Sequence, residues 1–319
     1  MRRYSSRLGF LLAAACLLVS LSAFTGCGEQ PRRPHDTSGA AAVTKAPLPD
    51  AEAFYRQVSE RMGTLDAVDA DFTVKMTQKM DDSTLATTLS GNLKAMKEGQ
   101  AVQAMRVQST LKSMGTTMES LATYVDGILY VDSNGQRVKA PFEAPDLSSL
   151  DLSALQAIDD DMADRFTASR EGDDILLTFR MGKEDFQALW DQFSGAFSSI
   201  LSPELGEELN EELPGGVQSL VDLFQTLEMT YVLTADADGN LSKMAIEMNA
   251  VISYDALLPE GEELTLTVSP AEIALSMEYT ILQTGDAVVI AAPEDAEQYM
   301  EQESFSDDVP LDDPEFALI

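Results

Sequence analysis

The stretch Tyr124-Val125-Asp126-Gly127-Ile128-Leu129-Tyr130-Val131, followed closely by Asn134-Gly135-Gln136, decides the fold class. Asp-Gly and Asn-Gly accept positive φ at both centres of a two-residue hairpin turn, and each here separates short apolar runs. Three antiparallel strands in succession are therefore predicted. Toward the N-terminus, Val68, Ala70, Phe72, Val74, Met76 and Met80 share one side of a period-two pattern, with Asp69, Asp71, Thr73, Lys75 and Thr77 opposite. Such alternation is that of a half-buried strand. Leu85, Leu89 and Leu93, then Met105, Val107 and Leu111, then Leu121 to Val125 carry it onward, so residues 68–140 read as an antiparallel meander.

Strand patterns return downstream. Phe166 to Arg170 and Ile175 to Met181 flank a turn at Glu171-Gly172-Asp173, and Met229 to Leu233 and Met244 to Ile252 flank Asp236 to Asn240. Leu264, Leu266 and Val268 precede Pro270, Ile273 to Ile281 follow it, and Val288 to Ile290 predict a last short strand. Helical spacing occurs in three places. Asp50 can cap a helix from Ala51 whose apolar side is Phe54, Val58, Met62 and Leu65. Phe186, Leu189, Trp190, Phe193, Phe197, Ile200 and Leu201 form one stripe over 183–201, and Val217, Leu220, Val221, Phe224 and Leu227 another over 217–227. The class is α+β: a strongly curved antiparallel β-sheet, a half-open barrel, with helices 183–201 and 217–227 covering its concave side.

The N-terminus carries an address. Arg2, Arg3 and Arg7 precede an apolar run from Leu8 to Leu21, and Phe24-Thr25-Gly26 then lead into Cys27. A basic start, an apolar centre and a small-residue exit describe a secretory signal rather than a spanning helix. Phe24, Thr25, Gly26 and Cys27 resemble the bacterial lipobox, with Phe24 where that motif usually has Leu. The resemblance implies a diacylglycerol on Cys27, which cleavage makes the first residue, and two acyl chains suffice for stable anchoring. The plain alternative is an uncleaved signal or a secreted protein. The expected organisation is a lipoprotein signal peptide over 1–26, a disordered Pro- and Gly-containing tether over 27–49, an α+β domain over 50–292 and an acidic disordered tail over 293–319. That tail holds ten acids and no base. A coil-like tether of this length reaches about 25 Å.

Composition then excludes. Removing residues 1–26 takes three of the 21 basic residues and none of the 54 acids, leaving 293 residues at a net charge of −36. Such a field repels nucleic-acid phosphates and anionic membrane surfaces, so no nucleic-acid partner is expected and the covalent lipid is the expected route to the cell membrane. Cys16 lies in the signal and Cys27 takes the lipid; the one histidine, His35, lies in the tether. Disulfides, thiolate nucleophiles, imidazole ligands and Ser-His-Asp arrangements are thus absent from the folded part, and no enzyme activity, metal or cofactor is expected. Among 54 acids many carboxylate pairs must occur, but nothing singles out one of them. Asp236, Asp238 and Asn240 resemble the start of a calcium loop, yet the central Gly is displaced and a hairpin turn is the better reading. Asp159, Asp160, Asp161 and Asp164 read as a solvated acidic patch.

With the lipobox, the N-terminal helix before a Met-rich strand pair, the Tyr124–Val131 hairpin with Asn134-Gly135-Gln136, and Asp238-Gly239-Asn240-Leu241-Ser242-Lys243-Met244 in view, the chain resembles lipoprotein-localisation-factor-like (LolA/LolB/LppX-like) domains and related cell-surface lipoproteins of Gram-positive bacteria. The resemblance implies a sheet curved around an apolar cavity for an acyl chain or other lipophile, on the extracytoplasmic face of the membrane. Candidate pocket residues are Met76, Met80, Met105, Met244, Met248 and Met277, because methionine adapts to variable ligands, together with Phe186, Trp190, Phe193 and Phe197. The plain alternatives are that these methionines fill an ordinary core and that the aromatic stripe is permanently buried. Two functions follow: a membrane-anchored binding module for a lipophilic or amphipathic ligand, or a solid-cored structural or regulatory protein that recognises another envelope protein.

Overall fold

The computed structural model describes residues 47–99, 101–142, 163–187, 221, 223–253 and 270–302. Among them lie helix α1 (Ala51–Gly63) and twelve strands: β1 (Ala67–Met80), β2 (Ser83–Glu98), β3 (Ala101–Ser113), β4 (Thr116–Val125), β5 (Ile128–Ser133), β6 (Gln136–Pro141), β7 (Thr167–Glu171), β8 (Asp174–Gly182), β9 (Phe224–Ala235), β10 (Leu241–Ile252), β11 (Ala271–Thr284) and β12 (Met300–Glu301). The strands form one sheet in the order β12-β6-β5-β4-β3-β2-β1-β11-β10-β9-β8-β7, which does not close. The pairings within β3 to β6 and within β7 to β11 are antiparallel, and that of β12 on β6 is parallel.

The hairpin grammar is realised at the predicted dipeptides. Asp126 and Gly127 have φ of 52° and 77°, and Asn134 and Gly135 have 49° and 87°. A further turn of the same kind joins β3 to β4 at Met114-Gly115, where Met114 has φ of 49°. Nothing in its residue type announces it, since Asn and Asp rather than Met tolerate this region.

The chain divides into two compact units. The first holds α1, β7 to β10, most of β11 and the adjoining parts of β1 and β2. Here alternation is strict: Ile175, Leu177, Phe179 and Met181 on β8, Met244, Ile246, Met248, Ala250 and Ile252 on β10, and Ala271, Ile273, Leu275, Met277 and Tyr279 on β11 are all buried. Asp50 caps α1 by accepting from the Ala53 N–H at 3.0 Å, as expected. Phe54, Tyr55, Val58 and Met62 are the buried residues of that helix.

The second unit holds β3 to β6, residues 66–72 and 88–98, and the C-terminal segment from 282. Gly91 marks a close approach: a Cβ there would lie 1.9 Å from the Gln108 carbonyl oxygen and 2.9 Å from Cζ of Phe72. Asp69, expected on the solvent side of β1, is buried, and its charge is matched by Lys94 at 3.0 Å and by the Asn92 amide at 2.7 Å.

Three expectations are corrected. The helix predicted over 217–227 is strand from Phe224 onward. Ile252 pairs with Phe224 but Val251 with Thr226, so an extra residue is inserted in β9, and this bulge places Phe224 and Leu227 three apart on the buried side. A bulged strand thereby imitates helical spacing. Residues 288–290 are not a strand; a 3-10 turn at Gly285–Ala287 precedes them, and the last strand is β12. Of the tail expected to be disordered over 293–319, Ala296–Gln298 forms a 3-10 turn and Met300 and Glu301 pair with Val138 and Lys139, while residues 303–319 lie outside the described residues. Of the helix predicted over 183–201, residues 183–187 are helical and the remainder lies outside the described residues, as does the strand predicted at Leu264 to Val268. The covering role expected of those two helices is therefore not seen. Among the described residues, no helix is long and apolar enough to cross a membrane.

Candidate functional site

Two apolar sheet faces can be built from register alone. In the first unit, β8 to β11 align rows across the sheet: Leu177, Leu233, Met244 and Tyr279; Phe179, Tyr231, Ile246 and Met277; Met181, Met229, Met248 and Leu275. This face is sealed on β8, β10 and β11, while Met229 and Tyr231 on β9 are half-buried. Leu177 and Met277 are 0% exposed, Phe179 1%, and Met244 and Met248 2%. Helix α1 covers it through Tyr55, whose ring stacks on Phe166 with centroids 4.3 Å apart, and Phe166 in turn meets Phe179 at 5.7 Å and Tyr231 at 6.1 Å. Polar contacts dock the far side of the helix: Gln57 donates to the Asp238 carbonyl and Arg61 to the Asn240 side chain.

The Asp236 turn itself leaves little for a cation. Oδ1 of Asp236 accepts from the Asp238 and Asn240 N–H groups at 2.9 Å, and Oδ2 from the Asn240 amide at 2.7 Å. Burial works against ionisation of Asp236, but these hydrogen bonds outweigh it and hold the carboxyl below its ordinary range. Among the described residues, no cluster of His, Cys, Asp or Glu is arranged to hold a metal ion.

The face in the second unit is different. Its rows are Met105, Tyr124, Leu129 and Ala140; Val107, Ala122, Val131 and Val138; and Ser109, Ser120, Ser133 and Gln136, with Leu111 and Met118 beyond them. Val131 and Ala140 are buried, but Met105, Val107, Leu111, Met118, Ala122, Tyr124, Leu129 and Val138 are only half-buried. None of these positions carries a charge. The charged groups of the same strands stand on the other side: Arg106, Lys112, Glu119, Asp132, Arg137 and Lys139. Phe142 leaves β6 and meets the Tyr124 ring edge-on at 5.8 Å.

The C-terminal segment packs on part of that charged side. Tyr299 packs edge-on against Tyr130 at 5.5 Å, and Arg137 binds Asp132 at 2.7 Å, pairs with Asp295 and lies 5.8 Å from the centre of the Tyr299 ring. Burial, with Asp132 and Asp295 nearby, raises the Tyr299 hydroxyl above its ordinary pKa.

The ten predicted side chains are therefore divided. Met244, Met248 and Met277 come together in the sealed rows; Met76 and Met80 are half-buried in the first unit; Met105 is half-buried in the second. Phe186 meets Phe224 edge-on at 6.1 Å, while Trp190, Phe193, Phe197 and Phe24-Thr25-Gly26-Cys27 lie outside the described residues. Sequence reasoning missed Tyr55 and Phe166, whose stacking depends on distant segments. It also missed the serine row, although hairpin registers counted from Asp126-Gly127 and Asn134-Gly135 align Ser120, Ser133 and Gln136 without any structure.

No family model matches the chain, and no curated protein matches it. Among solved structures, it is similar to LprF from Mycobacterium bovis, at 14% identity over 77% of this chain and 99% of that one, with a TM-score of 0.34. It is also similar to an outer membrane lipoprotein-sorting protein domain from Vibrio parahaemolyticus, at 10% identity over 75% of this chain and 95% of that one, with a TM-score of 0.19. At TM-scores below 0.5 neither likeness assigns a family or a ligand; the rows of β3 to β6 and β8 to β11 must carry the functional argument.

Proposed function

We propose that the chain is an extracytoplasmic lipoprotein, anchored through Cys27, that binds a lipophilic or amphipathic ligand on an apolar sheet face. The supporting observation is the charge-free, half-buried face of β3 to β6, in a chain with a formal net charge of −33. An apolar surface of this kind that is neither sealed nor charged is what a lipophile requires. Met105 and Met118 contribute flexible side chains to it. Met76 and Met80 offer part-open apolar surface in the other unit, where Met244, Met248 and Met277 act as supporting core. We assign Phe186, Trp190, Phe193 and Phe197 to the same ligand on their sequence spacing alone. The folded part offers no Cys or His for nucleophilic or general-base chemistry, which favours binding over catalysis.

The test is mass spectrometry of an organic extract of the exported chain carrying Cys27→Ser, which lacks the covalent lipid. A reproducible lipid close to one per chain is expected. An empty protein would contradict the proposal and favour recognition of another envelope protein.

A further inference from the structure

We infer that the face of β3 to β6 is polarised for an amphiphile with an uncharged, hydrogen-bonding headgroup, such as a glycerol ester or a sugar, and that Ser109, Ser120, Ser133 and Gln136 receive that headgroup. The inference rests on the proposed lipophile-binding role and specifies the ligand of that same face.

Register carries the argument. Ser109 pairs with Ser120, Ser120 with Ser133, and Ser133 with Gln136, so four strands place three hydroxyls and an amide in one continuous row. Two apolar rows lie on one side of it, running toward Asp126-Gly127, with Tyr124 as their one polar tip, and the single pair Leu111–Met118 lies on the other. The serines are half-buried and Gln136 is exposed, so a bound molecule can reach the row. Acyl chains fit the apolar rows; the polar row then sits where their headgroup must fall. Hydroxyls and an amide both donate and accept, which suits ester carbonyls and sugar hydroxyls alike.

Charge decides between headgroups. The same four strands hold Arg106, Lys112, Arg137 and Lys139, and register puts all four on the opposite side. A phosphate headgroup on the serine row would have no cation beside it from these strands, in a protein whose overall field is strongly negative. An uncharged headgroup meets no such penalty.

The experiment uses the exported full chain carrying Cys27→Ser and two fluorescent probes with the same acyl chains, a diacylglycerol and the corresponding phosphatidylglycerol. The wild-type residues should bind the diacylglycerol at least tenfold more tightly. The triple variant Ser109→Ala, Ser120→Ala, Ser133→Ala should lose about tenfold in diacylglycerol affinity, through two or three hydrogen bonds of ordinary strength, yet keep its affinity for the hydrocarbon probe diphenylhexatriene. Retained diphenylhexatriene binding shows that the variant is folded and its apolar rows intact. Equal diacylglycerol binding by the variant, or preference for phosphatidylglycerol, would overturn the inference and leave the lipophile-binding role standing. Failure of the unsubstituted face to bind any of the three probes would overturn both.

Discussion

The sheet uses the same alternating grammar on β8 to β11 and on β3 to β6, with opposite results. On β8, β10 and β11 every second residue is sealed, down to 0% exposure at Leu177 and Met277. On β3 and β4 the apolar side is half-buried from Met105 to Leu111 and from Met118 to Tyr124. The sealed rows have a visible cover in α1, whose Tyr55 reaches them through Phe166. The open face includes a row of serines, which a sealed core would have to satisfy at a cost. The difference teaches that methionine content does not mark a binding surface. Three of the predicted methionines fill a core, and what distinguishes the other face is incomplete burial together with a row of serines.

Substituting equivalent residues breaks the comparison most sharply. Met277→Ala should cost about 4 kcal/mol, since it opens a cavity in rows that cannot collapse, whereas Met105→Ala should cost about 1 kcal/mol or less. Urea unfolding of the two variants measures this, and equal losses would erase the distinction between core and face. Gly91→Ala addresses the second unit alone. The added carbon meets backbone at 1.9 Å, so a loss of about 3 kcal/mol is expected although only one methyl is introduced. A neutral outcome would show that β3 is not held against β2 at this point.

The smallest expected effect concerns pH and the first unit. The Gly182 N–H, and after it Arg165 at 2.7 Å, hold the Asp185 carboxyl below its usual value of 3.8. A folded-state pKa below the unfolded one contributes stability that is present above about pH 4 and is lost as pH falls through the folded value. The side chain is 39% exposed, so solvent screening limits the contribution to about 0.5 kcal/mol. Asp185→Asn should remove that part of the acid limb of the stability curve and leave neutral-pH behaviour of β3 to β6 untouched.

Much of the fold was legible in the sequence, and the rest has identifiable causes. The turns at Asp126-Gly127 and Asn134-Gly135, the burial of Val68, Ala70, Phe72 and Val74 on β1 and the Asp50 cap all follow from local chemistry that tertiary context did not override. The Met114-Gly115 turn was hidden because methionine rarely occupies left-handed backbone, and Phe224 to Leu227 because a bulge gave a strand helical spacing. The ordered segment at Tyr299 was hidden by acidic composition; two aromatic rings and the Arg137 pairs hold it in place. At the candidate site, alternation displayed the apolar rows but not which of them a helix would seal. That depended on Tyr55 meeting Phe166, 111 positions further along the chain.

Photocrosslinking tests the central claim most directly. The exported chain carrying Cys27→Ser would be loaded with a diacylglycerol bearing a diazirine on its acyl chain, irradiated, and the modified peptides mapped by mass spectrometry. The account predicts modification within residues 101–141, centred on Met105, Val107 and Tyr124, and none at Met244, Met248 or Met277. Labelling confined to those three buried methionines, or no labelling at all, would contradict it.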